Sequence, residues 1–146
     1  MREILFKGKR IDNDEWVEGS LIDLDIDSGY CYIVPPYKKA STLPINFLIT
    51  SRMEWVVSET LCQFTGLYDK NGNKIWENDI VTCQTRYGGD IGKVVFHNGK
   101  FCVLWNSTYH YSRNGKCENY YDINAKNSVK GNVFDNPELL QEESDE

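Results

Sequence analysis

Residues 63–81, QFTGLYDKNGNKIWENDIV, read as strand, tight turn, strand, and then an acidic corner leading into another strand. Asn71-Gly72 marks the turn. A type I′ turn needs positive φ at both central residues, which Asn tolerates and Gly adopts without a Cβ clash. Two more Asn-Gly pairs follow: Asn98-Gly99 lies between Val94–His97 and Lys100–Trp105, and Asn114-Gly115 between Tyr109–Arg113 and Lys116–Tyr121. Gly88-Gly89 reads as a looser loop ahead of Ile91–Phe96. Short strands separated by turn signals at this spacing predict a small barrel or sandwich in the C-terminal half.

Towards the N-terminus, Ile4–Ile11 and Trp16–Leu24 read as strands joined by the polar turn Asp12-Asn13-Asp14-Glu15. Their pairing sets a basic strand (Lys7, Lys9, Arg10) against an acidic one (Glu18, Asp23), each opposed pair contributing roughly 0.2–1 kcal/mol to register. Tyr30–Val34 is a third strand, stopped by Pro35-Pro36, which cannot continue a ladder. Between Tyr37 and Ser51 the sequence reads as an exposed loop followed by a short buried element at Ile45–Ile49. Trp55-Val56-Val57 is a further strand, and Ser58 is placed to cap one helical turn. At the other end Asn136 and Pro137 open a short C-terminal helix, beyond which the tail should fray. The expected organisation is an N-terminal β region over 1–60 with a variable loop at 36–52, a barrel-like region over 61–140, and an acidic disordered tail at 141–146.

Charge is uneven. Of the net −6, residues 141–146 contribute −4, so the body carries only −2. A nearly neutral body neither advertises a nucleic-acid surface nor supports DNA mimicry. Residues 1–10 hold four bases and one acid, whereas residues 11–30 hold seven acids and no base. No apolar run approaches the ~20 residues of a membrane helix, and the N-terminus carries no signal-peptide pattern. A soluble protein of the cytoplasm is expected, with no membrane partner. The five cysteines are isolated and form no CxxC, so they read as buried, reduced thiols rather than zinc or redox groups.

Candidate chemistry is sparse. Asp23-Leu24-Asp25-Ile26-Asp27-Ser28-Gly29 invites a calcium reading, but the glycine and glutamate that a calcium loop needs at positions 6 and 12 are Ser28 and Val34 here. A strand with one wet face fits better. Glu77 and Asp79 are paired carboxylates that a metal-dependent hydrolase would use with a distant partner; an Asx-type turn at a strand entrance is the preferred reading. His97 and His110 show no ligand spacing, although His97 with Cys102 across a hairpin leaves a metal site open. No cofactor motif and no nucleophile motif is present, so the reading leans against an enzyme. Tyrosines are the one excess. Such tyrosines read first as strand aromatics packing across the sheet; Tyr87, Tyr109 and Tyr111 with Arg113 are the candidate binding surface, for a protein interface second and, as the alternative function, for stacking on single-stranded nucleic acid third.

Three blocks carry a family resemblance: Arg2–Arg10 with Trp16-Val17-Glu18-Gly19; Gln63-Phe64-Thr65-Gly66-Leu67 with Asp69-Lys70-Asn71-Gly72 and Ile75–Val81; and Gly131–Leu140. In this order and spread nearly end to end, they resemble the YopX family of bacteriophage and prophage proteins. Asn78 departs from the family's usual glycine between the two acids. Asn is the non-glycine residue that best tolerates positive φ, so the same turn is expected. The resemblance implies a mainly β phage or prophage accessory protein in the host cytoplasm, with a small SH3-like barrel in its C-terminal half and a tendency to form homo-oligomers. It brings no catalytic residue.

Overall fold

A computed structural model describes residues 2–36, 44–85, 88–107 and 117–140. The chain divides into two compact units, Met1–Phe64 and Thr65–Glu146, and the structure is mainly antiparallel β. Among the described residues no helix is long and apolar enough to cross a membrane.

In the first unit β1 (Phe6–Lys9) and β2 (Trp16–Asp25) pair as expected, with Lys7 opposite Glu18. β3 (Tyr30–Val34) lies beside β2, and β4 (Glu54–Val56) beside β3. Just beyond β1 the chain meets β4 again: Arg10 bridges Val56, while Ile11 N donates to Trp55 O at 3.1 Å and Val57 N to Lys9 O at 2.8 Å. The four strands therefore close into a ring, which removes the sheet edges at this point. Inside it Cys31, Ile33 and Val56 are buried, with Phe6, Val17, Leu21 and Leu61 packed against them. These alternate along each strand with outward residues, the period of two that a filled barrel requires. Gly19 permits the tight curl, because a Cβ there would collide with the Val34 carbonyl oxygen.

Residues 45–52 correct the expected buried element. They form the α-helix α1 (Ile45–Arg52), on which Ile45 and Phe47 face solvent at 74% and 55% exposure. An apolar run without clear periodicity does not say whether it is covered. Ser58 does not cap: a 3-10 turn spans Ser58–Thr60, and Thr60 Oγ1 instead receives Lys9 N at 2.9 Å and donates to Val57 O at 2.7 Å.

β5 (Cys62–Tyr68) runs through the division between the units. Its first half pairs with β1. Its second half forms a hairpin with β6 (Lys74–Trp76), the reading from which residues 63–81 were assigned. The second unit continues with β7 (Asp79–Thr85), β8 (Gly88–His97), β9 (Lys100–Ser107), β10 (Cys117–Asp122) and β11 (Val129–Asn132), in the sheet order β10-β9-β8-β7-β11. Ile75, Val81, Val94, Val103 and Trp105 form its core. The pairings among the described residues leave β10 and β11 at the two ends of this sheet. Among the described residues the pairings close a ring in the first unit and give the C-terminal half a five-stranded sheet, without establishing the small SH3-like barrel expected there.

The Asn98-Gly99 hairpin matches its reading, with φ of 50° and 81°. Gly88 and Gly89 do not: they extend β8 opposite Thr85 and Gln84, because ladder pairing with β7 outweighs the weak strand preference of glycine. The third hairpin differs from its reading: Cys117–Asp122 pairs with Cys102–Ser107 of β9 rather than with Tyr109–Arg113, and Tyr109–Arg113 with Asn114-Gly115 lies outside the described residues. The C-terminal helix is a 3-10 turn, Pro137–Leu140.

Candidate functional site

The expected binding surface of Tyr87, Tyr109, Tyr111 and Arg113 lies wholly outside the described residues, as does His110. His97 is opposite Lys100 in the ladder, while Cys102 is opposite Val95. The His97 ring instead stacks on Tyr120, centroids 3.8 Å apart. Among the described residues no three His, Cys, Asp or Glu side chains gather as a metal site would need. Cys31, Cys62 and Cys102 are buried and not joined in disulfides. Burial raises the pKa of Cys31, helped by the nearby Asp23 charge, and burial likewise raises that of Cys102.

The acidic corner is a backbone device. Asp79 is buried, and its Oδ2 accepts Trp76 N at 2.8 Å. Asn78 sits at φ 68°, as its place in the family's glycine position predicts. Asn78 N donates to Val94 O, and Asn78 O accepts Val133 N. This carboxylate closes the turn that aims β7 through the amide of Trp76, three residues earlier, whereas the expected Asx-type turn takes an amide two residues later. The Asp23–Gly29 segment is likewise a strand end: Asp25 Oδ1 accepts Ser28 N at 3.3 Å within a 3-10 turn over Ile26–Ser28.

A second carboxylate, not singled out from the sequence, organises the second unit. Asp69, 6% exposed, accepts Asn71 N at 2.9 Å and Asn73 N at 2.8 Å on Oδ1. Its Oδ2 accepts Val129 N at 2.9 Å and Asn73 Nδ2 at 3.3 Å. Burial disfavours the charge, but these four hydrogen bonds outweigh it and hold the pKa below the usual carboxylate range. Gly72 N returns to Asp69 O and only Gly72 takes positive φ. The loop is therefore a type I turn with a glycine bulge, not the expected type I′ turn, because Asp69 recruits the amide of Asn71. The signal was present in Asp69-x-Asn71-Gly72-Asn73, an acid at the first position of a turn. Beside it buried Asn127 donates to Thr82 O at 2.6 Å and accepts Asn124 N at 2.8 Å.

Among the described residues an exposed aromatic cluster lies on the outer surface of the first unit. Tyr30 and Tyr32 are two residues apart on β3, so both point outward, and Trp55 lies opposite Tyr32 on β4. The Tyr30 and Trp55 rings are 5.9 Å apart and within 8° of parallel; the Tyr32 and Trp55 rings are 6.3 Å apart at 29°. Trp55 Nε1 donates to Gly29 O at 3.1 Å, which pins the indole. Trp55 and Tyr30 remain 45% and 52% exposed. Elsewhere on this surface Lys7 Nζ stands 4.5 Å and Lys9 Nζ 5.5 Å from the Trp16 ring centroid. Such an array can stack against a flat or apolar group and exclude water from it.

The family model described as YopX protein matches residues 5–141. The chain belongs to the YopX family. A similar fold is seen in the crystal structure of protein EF1440 from Enterococcus faecalis, which is 21% identical, with a TM-score of 0.55 over 97% of this chain and 100% of that one. That likeness concerns the fold alone. No curated protein matches.

Proposed function

We propose that this YopX-family chain is a non-catalytic bacteriophage or prophage accessory protein that acts in the host cytoplasm by binding, as a homo-oligomer. The observation that carries the binding reading is the solvent-facing Tyr30–Trp55–Tyr32 cluster. Exposed aromatics of this kind anchor protein interfaces. Asp79, the more buried member of the paired carboxylates, is already engaged by a backbone amide, which argues against a hydrolase at Glu77 and Asp79. Size-exclusion chromatography with light scattering tests the oligomer. A stable multimer at micromolar concentration is expected, and a clean monomer refutes that part. Affinity purification from host cells tests for a partner.

A second reading, a single-stranded nucleic-acid module, draws on Lys7 and Lys9 against Trp16, since cation and aromatic together suit a stacked base next to a phosphate. It predicts salt-dependent binding of oligonucleotides. No binding at low ionic strength removes it.

A further inference from the structure

We propose that the Tyr30–Trp55–Tyr32 face docks an arginine- or lysine-bearing segment of a partner protein. This deepens the binding reading and rests on it. The face continues across neighbouring strands, with Ile22 opposite Tyr32 on β2 and Ile11 hydrogen-bonded beside Trp55. Its rings are held in place before any partner arrives: Trp55 is tied to the Gly29 carbonyl and flanked by both tyrosines. Preorganised rings of this kind lose little entropy on binding.

Charge selects the occupant. Residues 11–30 contain seven acids and no base; Asp25 and Asp27 are exposed at the end of β2 and the turn that follows, while Asp23, opposite the inward-facing Cys31, lies on the other side of the strand. Asp25 is the ladder partner of Tyr30. The bases at the far side of the face are neutralised locally, Lys9 by Asp14 at 3.5 Å, and Arg10 by Asp12 and Glu54, each at 3.2 Å. A phosphate backbone would meet like charge here. A second copy using the same face across a two-fold axis would set aspartates against aspartates. A guanidinium or ammonium group gains both from the aspartates and from the ring faces, a cation–π contact being worth roughly 0.5–2 kcal/mol.

The test is fluorescence anisotropy of labelled nona-arginine with the full chain, with nona-glutamate and oligo-deoxythymidine as controls and light scattering on the same samples. Binding of nona-arginine alone is expected. It should weaken roughly three- to thirty-fold in Trp55→Ala and in Tyr30→Ala, and weaken in Asp25→Asn/Asp27→Asn while losing salt sensitivity. If circular dichroism shows Trp55→Ala unfolded, the more exposed Tyr30→Ala carries the test. Three results overturn the inference: no nona-arginine binding; binding lost in the aspartate variant but unchanged in the aromatic ones, which means a diffuse charge contact; or a changed oligomeric state in Trp55→Ala, which means a second copy covers the face. An intact oligomer that binds no peptide refutes this inference and leaves the oligomeric reading standing. A monomer that binds the peptide does the reverse.

Discussion

Replacing Asp69 by Asn keeps the shape of the side chain and converts one acceptor oxygen into a donor. In the wild type both oxygens are occupied, Oδ1 by the amides of Asn71 and Asn73, Oδ2 by Val129 N and the Asn73 side chain. If the carboxamide oxygen of the variant takes the Oδ1 place, its NH₂ faces the Val129 N–H and leaves that donor unsatisfied, at about 1–3 kcal/mol. The bonds that remain lose their charge assistance, about another 1 kcal/mol. The opposite rotamer strands two backbone donors and is worse. A loss of roughly 2–4 kcal/mol follows, which for a unit of this size lowers the melting temperature by about 10–20 °C. The pH dependence gives a second handle. The folded-state pKa of Asp69 is lowered, so its stabilisation is complete above the unfolded value of ~3.9 and is lost as pH falls through the folded value. The gap between wild type and Asp69→Asn should therefore be constant above about pH 5 and shrink by about 1.4 kcal/mol per pH unit once below ~3.9. Urea unfolding followed by circular dichroism at several pH values measures both. Equal midpoints at pH 7, or a gap that does not narrow in acid, would refute the account.

Gly19→Ala should destabilise the first unit by about 1–3 kcal/mol or more, because the clash is with backbone that cannot rotate away; a urea midpoint measures it. Asn78→Gly should be tolerated and Asn78→Val should cost about 1–2 kcal/mol at φ 68°, read from paired thermal melts. Native thiol titration should leave Cys31, Cys62 and Cys102 unmodified until denaturant is added; fast labelling of any of them would contradict their burial.

Local patterns were legible where one residue's own geometry decides. Asn98-Gly99, the stop at Pro35-Pro36 and the positive φ of Asn78 follow from Cβ sterics and the missing proline N–H. The strand limits of β3 follow from alternation and the proline stop; of the charges expected to oppose one another, Lys7 meets Glu18, but Asp23 lies opposite Cys31 instead. Misreadings arose where a distant residue intervened. Gly88-Gly89 is strand because β7 lies alongside, and Asn71 avoids positive φ because a carboxylate two residues earlier captures its amide. The tyrosines at 87, 109 and 111 are an excess of composition, whereas Tyr30, Tyr32 and Trp55 become a surface only when β3 and β4 pair.

Residue order alone carries the family, the mainly β character and the lack of a catalytic motif, since these depend on short-range geometry and spacing. Closure of the ring in the first unit needed the folded chain, because it runs through contacts between Arg10 and Val56 that are 46 positions apart. The same holds for Asp69 as a buried latch reaching Val129, and for which aromatic rings face water. Each of these depends on which distant strand becomes a neighbour, and hydrophobic alternation is identical for any partner with the right period.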